Sequence, residues 1–304
     1  MMTVGSLFSG VGGFDLALEN VGMTVRWQSE VDRFASHVLA DHWPDVPNLG
    51  DINNICMPER VDVLCGGFPC QDISRAGHKK GLAGARSGLW FEFARIIGEV
   101  EPEWVVIENV AGLLSSNSGR DMGTVVTSLG NMGYGWAYRV LNSVGFGVPQ
   151  RRRRVFIVGH RSNNPRSAQV LFESNNLRRD TEKVQSTKYH TRTLTKSNTR
   201  DVYDGSALAG LMIIDTNSNG DKAPRRLTPL ECERLQGFPD NWGSVCSDLQ
   251  RYKQMGNAVT VPVVSWIGKR IIGIEELPPT IEVNQNPPHP AGFSPLKLFY
   301  LHKI

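Results

Sequence analysis

A cysteine sits directly after a proline, behind two glycines, in the stretch CGGFPCQDIS (65–74). As a thiolate, Cys70 would add to a polarised carbon more readily than a hydroxyl does at neutral pH. The competing reading is a buried inert thiol, the usual fate of cysteine. Downstream, WVVIENV (104–110) ends an apolar run with Glu108 and Asn109. A carboxyl beside a thiol could form a nucleophile and acid pair, whereas Glu108 alone reads more readily as a helix cap, and only the conjunction favours chemistry. A third feature is GVPQRRRRVFIVG (147–159). If a strand period of two runs back through the basic residues, Gln150, Arg152 and Arg154 share one face, and Arg151 and Arg153 the other. One face would then serve a site and the other would meet phosphates; the alternative is a plain basic patch.

These groups need elements to hold them. Short apolar runs at Thr3–Phe8, Val25–Gln28, Val61–Cys65, Trp104–Glu108, Tyr138–Asn142 and Arg154–Gly159 predict strands. Helical patterns lie between several of them. One opens at Phe14–Glu19, and another, Leu89–Val100, repeats apolar residues at helical spacing. Strands alternating with helices predict an α/β fold with a parallel, doubly wound sheet. In such sheets ligands bind beyond the carboxyl ends of the strands, which is where Cys70 and Glu108 fall.

The turn LFSGVGGFDLALE (7–19) follows the first strand and opens the first helix. Gly10, Gly12 and Gly13 permit a tight turn and close backbone approach to a ligand. Glu30 stands where an acidic residue is expected to hold ribose hydroxyls. Asp51, expected after the third strand, could accept a bond from an adenine amino group. The pattern is GxGG rather than GxGxxG, which suits a nucleoside without a pyrophosphate and favours S-adenosylmethionine over a nicotinamide dinucleotide.

The chain has 304 residues and a net charge of +3, unevenly spread. Residues 1–149 hold 10 basic and 16 acidic side chains, residues 150–304 hold 23 and 14, and the stretch 151–226 alone has 16 and 7. A polyanion partner for the second half follows, set against a merely solvated basic face. Five loosely spaced cysteines suggest neither a disulfide framework nor a zinc site, and no metal is expected. No apolar run is long enough for a membrane span, and the start MMTVGSLFSG lacks the pattern of a secretory signal, so a cytoplasmic protein is expected. Residues 161–224 are rich in Ser, Thr, Asn and Arg and read as a loop-rich module. Thr228-Pro229-Leu230-Glu231 marks a sharp helix start, and Val261–Ile274 reads as a final buried helix. The tail from Pro278 has no core pattern.

Six blocks, FSGVGG (8–13), GGFPCQ (66–71), ENV (108–110), QRRRR (150–154), RRLTPLECERLQGFP (225–239) and QMGNAV (254–259), stand in the order seen in DNA cytosine-5 methyltransferases. The chain resembles that family over roughly residues 3–160 and 225–275. The resemblance implies a Rossmann-like S-adenosylmethionine-binding domain, residues 1–160 plus 258–277, and a small target-recognition domain, 161–257, with 278–304 as a Pro-rich tail. It implies Cys70 as nucleophile, Glu108 as acid partner, and Arg152 and Arg154 beside the base. It assigns the cofactor to Phe8, Gly10, Gly12, Gly13, Phe14, Glu30, Val31, Asp51, Ile52, Pro69, Leu89, Asn257 and Val259. Val31 departs from the family, where many relatives carry an aromatic residue. DNA contacts would come from Gln71, Ser74, Arg75, Arg86, Gln150, Arg226, Gln236 and Gly237, with the loop Asp72–Gly88 closing on double-stranded DNA. Thr193-Leu194 matches the small Thr-apolar pair of recognition regions. The setting implied is a prokaryotic or phage-infected cell, near the nucleoid. There the protein would be a monomer, with a cognate restriction endonuclease as counterpart.

Cytosine C5 is a poor nucleophile. A thiolate added at C6 makes an enamine that can take a methyl group, and the base must first be flipped out of the duplex. The nearest alternative is an RNA cytosine methyltransferase, whose transfer-RNA-modifying relatives usually carry a Cys-Phe-Thr signature absent here. A non-catalytic DNA-binding regulator and a nicotinamide dehydrogenase fit the residues less well.

Overall fold

The computed structural model describes residues 1–69, 88–162, 165–172, 191–192, 212–216 and 222–276. All six expected strands are present: β1 (Thr3–Leu7), β2 (Thr24–Ser29), β3 (Val63–Gly66), β4 (Trp104–Val110), β5 (Gly135–Asn142) and β7 (Arg153–His160), in the spatial order β2-β1-β3-β4-β7-β5. A short strand, β6 (Gln150–Arg151), pairs with β8 (Thr191–Arg192), and β9 (Met212–Thr216) pairs antiparallel with β10 (Lys222–Arg226).

Side chains alternate across the main sheet and sort into two cores. Val63, Cys65, Trp104, Val106, Phe156 and Val158 face one way, together with α1 (Gly13–Glu19), α2 (Arg33–His42), α5 (Arg166–Leu171) and α8 (Val261–Glu275). Leu64, Val105, Ile107, Val155 and Ile157 face the other, with α3 (Gly88–Val100) and α4 (Arg120–Asn131). Helices thus cover both faces, as a strand buried on both sides requires.

The sheet is not parallel throughout. β1, β2, β3 and β4 pair in parallel, but β7 runs antiparallel to both β4 and β5. The reason is the short link from β5 to β7, with no crossover helix between them. The consequence is large. The beginning of β7, not its end, lies at the carboxyl edge of β4, with Arg154 paired to Val110.

Two helices precede the expected domain boundary at 257. The helices α6 (Pro229–Gln236) and α7 (Asp248–Asn257) bury Cys232, Leu235 and Met255 in the same core as Val4 and Phe14. The helix start read at Thr228 is a capping box with Pro229 in the first turn. Arg225 adds a bidentate pair to Glu231, both bonds 2.8 Å, and holds that carboxyl down at about 2. The tail 278–304 lies outside the described residues.

Candidate active site and cofactor cleft

Period-two geometry brings Glu108 and Arg154 together. Glu108 pairs with Phe156 across the β4–β7 ladder, so Arg154 is its diagonal neighbour on the same face. Arg154 Nε stands 2.9 Å from Glu108 Oε1, with both side chains about 15% exposed (15% and 14%). Next to them, the chain leaves β3 through Gly67, Phe68 and Pro69. A Cβ at Gly67 would come within 3.0 Å of Glu108 Oε2, so glycine lets this strand end run past the carboxylate. Asn109 is buried, and its Nδ2 donates 3.1 Å to the Phe68 carbonyl, pinning the approach to position 70. Cys70, Gln71, Ser74, Arg75 and Arg86, like Thr193-Leu194, lie outside the described residues.

The basic run alternates as its period suggested. Arg151 and Arg153 are exposed, while Gln150 and Arg152 are buried and Arg154 is partly so. Arg152, expected beside the base, donates to the carbonyls of Gly256 (3.3 Å) and Ala258 (2.8 Å). It thereby joins the site to the segment where the chain returns to the sheet. Burial, with Arg154 close by, pushes the Arg152 guanidinium down to about 9, against the opposing pull of Glu108.

The same cleft continues over β1, with a volume of about 610 Å³, within the usual range for small-ligand sites. Phe8, Gly10, Gly13 and Phe14 line it from the turn after β1. Glu30 follows β2, and its carboxylate accepts from the backbone N–H groups of Gly10 (2.8 Å), Val31 (2.9 Å) and Asp32 (2.7 Å). Val31 is 68% exposed at the rim. Asp51 precedes β3 rather than following it. The stretch 47–50 lies along β2, with Leu49 N–H donating 2.7 Å to the Gln28 carbonyl, and so carries Asp51 to the cleft. Asp51 Oδ1 accepts both bonds from Asn53, which leads on from Ile52. Pro69 and Leu89 form one wall, Asn257 and Val259 the other. Gln250, Lys253 and Gln254 of α7 also line the cleft and were not foreseen, because nothing in their types marks a ligand.

Four further residues expected at the cofactor or at DNA are tied into the fold. Gly12 does not line the cleft; it caps α1 at φ 80°, and a Cβ there would meet Trp43 at 2.3 Å. Gln150, expected at DNA, is fully buried and donates 2.9 Å to the Leu235 carbonyl. Gln236 is equally buried, donating to the Met255 carbonyl (2.7 Å) and accepting from Thr260 (2.9 Å). Gly237 ends α6 as its left-handed cap. Polar side chains in a motif read the same whether they meet DNA or a neighbouring backbone. Arg226 is exposed at the end of β10.

Among the described residues, Glu103, His160 and Glu275 gather metal-capable atoms at the opposite edge of the sheet. The Ser162 backbone N–H donates 3.1 Å to His160 Nδ1, so the neutral ring keeps its proton on Nε2, 2.9 Å from Glu103. Arg166 stands 3.3 Å from Glu275. A protonated nitrogen and a cation thus stand beside the two carboxylates. Among the described residues no helix is long and apolar enough to cross a membrane.

Comparison with known proteins shows the family of the chain. The family model described as C-5 cytosine-specific DNA methylase matches residues 2–204 and 166–273. The chain belongs to this family. It is 35% identical to the Type II methyltransferase M2.BsuMI of Bacillus subtilis over 300 residues, 89% of this chain and 75% of that protein. It is 33% identical to the Type II methyltransferase M.HpaII of Haemophilus parainfluenzae over 317 residues, 88% of each. The structure of the methyltransferase EhMeth from Entamoeba histolytica superposes with a TM-score of 0.71 at 16% identity, covering 91% of this chain and 99% of that one. That structure shares the Rossmann-like methyltransferase fold. The family's reaction is methylation of DNA cytosine at C5 with S-adenosylmethionine as donor, and this chain is an enzyme of that class. The cleft fits that donor. Gly10 presents open backbone at φ 56°, Glu30 offers a fixed carboxylate, and Phe8 and Ile52 supply apolar wall.

Proposed function

We propose that Cys70, Glu108 and Arg154 carry out the chemistry on a cytosine extruded from double-stranded DNA. The observation that supports this most is the Glu108–Arg154 pair at the carboxyl edge of β4, beside the strand end that leads to Cys70. Cys70 adds as thiolate to C6, which makes C5 nucleophilic. Glu108 bonds N3 and the exocyclic amine and relieves the charge that builds on addition. Arg154 holds Glu108 in place and meets O2 of the base. A base then removes the C5 proton and the thiolate leaves C6. S-adenosylmethionine, held by Glu30, Asp51, Phe8 and Val259, supplies the electrophilic methyl group. Extrusion of the base costs about a few kcal/mol, which contacts to the strand must offset. Arg151, Arg153 and Arg226, all exposed, suit phosphates.

Residues 161–226 are read as the recognition module, since the helices that follow belong to the large core. The Type II names of the relatives support a restriction-modification setting. We propose a cognate endonuclease as counterpart and a monomeric methyltransferase. Duplex containing 5-fluorocytosine tests the site, because fluorine at C5 blocks the final elimination. Wild-type protein should form a stable covalent complex in the presence of S-adenosylmethionine, and Cys70→Ser should not. Equal trapping by both, or none by wild type, rejects the assignment.

A further inference from the structure

The turn that faces the cofactor is held from behind by aromatic side chains from two distant segments. Trp242 is buried, and its indole N–H donates 2.8 Å to the Val11 carbonyl at the centre of the turn. His42 stacks on that indole at 3.5 Å with an interplanar angle of 7°, and its Nε2 lies 2.8 Å from the Trp242 carbonyl. Trp43 meets the indole edge-on at 5.7 Å and is itself tied by a 2.8 Å bond to Glu19. Phe238 packs on it at 5.5 Å. Val11 and Gly13 line the cleft, whereas Trp242 does not.

We propose that Trp242 is a positioning residue for the methyl donor. It touches no ligand, but its N–H and ring fix the height and tilt of the Val11–Gly13 backbone against the cleft. Residues 238–242 follow α6, whose start is clamped by the capping box and the Arg225–Glu231 pair. Cofactor affinity therefore depends on how the chain returning from the recognition module is seated. The inference rests on the cleft being the S-adenosylmethionine site.

The test uses the full chain with Trp242→Phe, which keeps a ring and deletes the donor. A second variant carries benzothienylalanine at 242, which exchanges only the indole N–H for sulfur. Calorimetric affinity for S-adenosylmethionine is measured alongside KM for cofactor and for DNA, and kcat at saturation. Loss of one buried neutral hydrogen bond should raise the cofactor Kd and KM about two- to tenfold. KM for DNA and saturated kcat should stay at wild-type values, as should all parameters of Trp136→Phe on the distant strand β5. Unchanged cofactor affinity in the benzothienyl variant overturns the proposal, as does an equal change in DNA KM and kcat. Glu30→Ala separates the two levels. If it binds cofactor as wild type does, the cleft assignment fails and the proposal with it. If it weakens binding and the Trp242 variants do not, only the positioning role fails.

Discussion

Gly10 and Gly12 look interchangeable in the sequence, but alanine should harm them in different ways. Both stand at positive φ, 56° and 80°. An L side chain in that region costs roughly 1–2 kcal/mol at each. There the likeness ends. Gly10 lines the cleft and a Cβ there meets no atom within 4 Å, whereas at Gly12 it lands 2.3 and 2.5 Å from Trp43 Cζ3 and Cη2. Trp43 has little room to withdraw, being bonded to Glu19 and packed on Trp242. Overpacking of this kind adds about 1–3 kcal/mol. Gly12→Ala should therefore lose roughly 2–5 kcal/mol of folding free energy, against roughly 1–2 kcal/mol for Gly10→Ala. In return, Gly10→Ala puts a methyl group where the cofactor approaches, and should weaken S-adenosylmethionine binding at least about tenfold, or about 1.4 kcal/mol. Urea denaturation without cofactor gives the first pair of numbers and calorimetry the second. Equal stability losses would show that the Trp43 overlap relaxes at no cost. Wild-type cofactor affinity in Gly10→Ala would refute the claim that this glycine faces the ligand.

Glu108→Gln keeps the shape of the site but removes the charge that pairs with Arg154, and should lower kcat roughly a hundredfold to a thousandfold with little change in KM for DNA; a kcat within threefold of wild type, on a scale of about that range, would remove Glu108 from the chemistry. Asp15 lies fully buried beneath the turn, accepting from Ser6 (3.1 Å) and Gln28 (3.0 Å), and burial pushes its carboxyl from 3.8 up to about 6. Because the folded value is the higher one, the folded state binds the proton more tightly. Wild type should therefore lose stability as pH rises between those two values, by at most about 3 kcal/mol. Asp15→Asn cannot ionise, so its stability relative to wild type should grow across that window and level off above it; parallel curves in urea melts at pH 4.5 and 7 would refute this account.

Much of the site was legible because its parts are local. A strand end followed by Gly, Pro and Cys, a strand ending in Glu-Asn, and basic residues at alternate positions each show in a few neighbouring letters. The alternation at 150–154 held, with Arg151 and Arg153 outward. What alternation could not tell is what an inward side chain meets. Gln150 and Gln236 meet backbone carbonyls of α6 and α7, and Arg152 meets the carbonyls of 256 and 258. α2, α4, α5 and α7 were not foreseen as helices, α5 lying in the stretch read as loop-rich. α7 has few apolar residues, its burial being confined to Gln254, Met255 and Gly256.

The sequence by itself determined the period of each strand, the position of the glycine turn after β1, the capped start of α6 and the order of the motifs. All of these depend on residues within a turn or two of one another, where propensity and steric limits act directly. Only the tertiary structure decided the direction of β7. Had it run parallel to β4, Arg154 would stand at the far edge of the sheet from Glu108. A short link turns the chain back after β5, and the two residues come within 2.9 Å. Strand direction is set by what the connecting chain can reach and bury, and no local pattern in RRRRV encodes it.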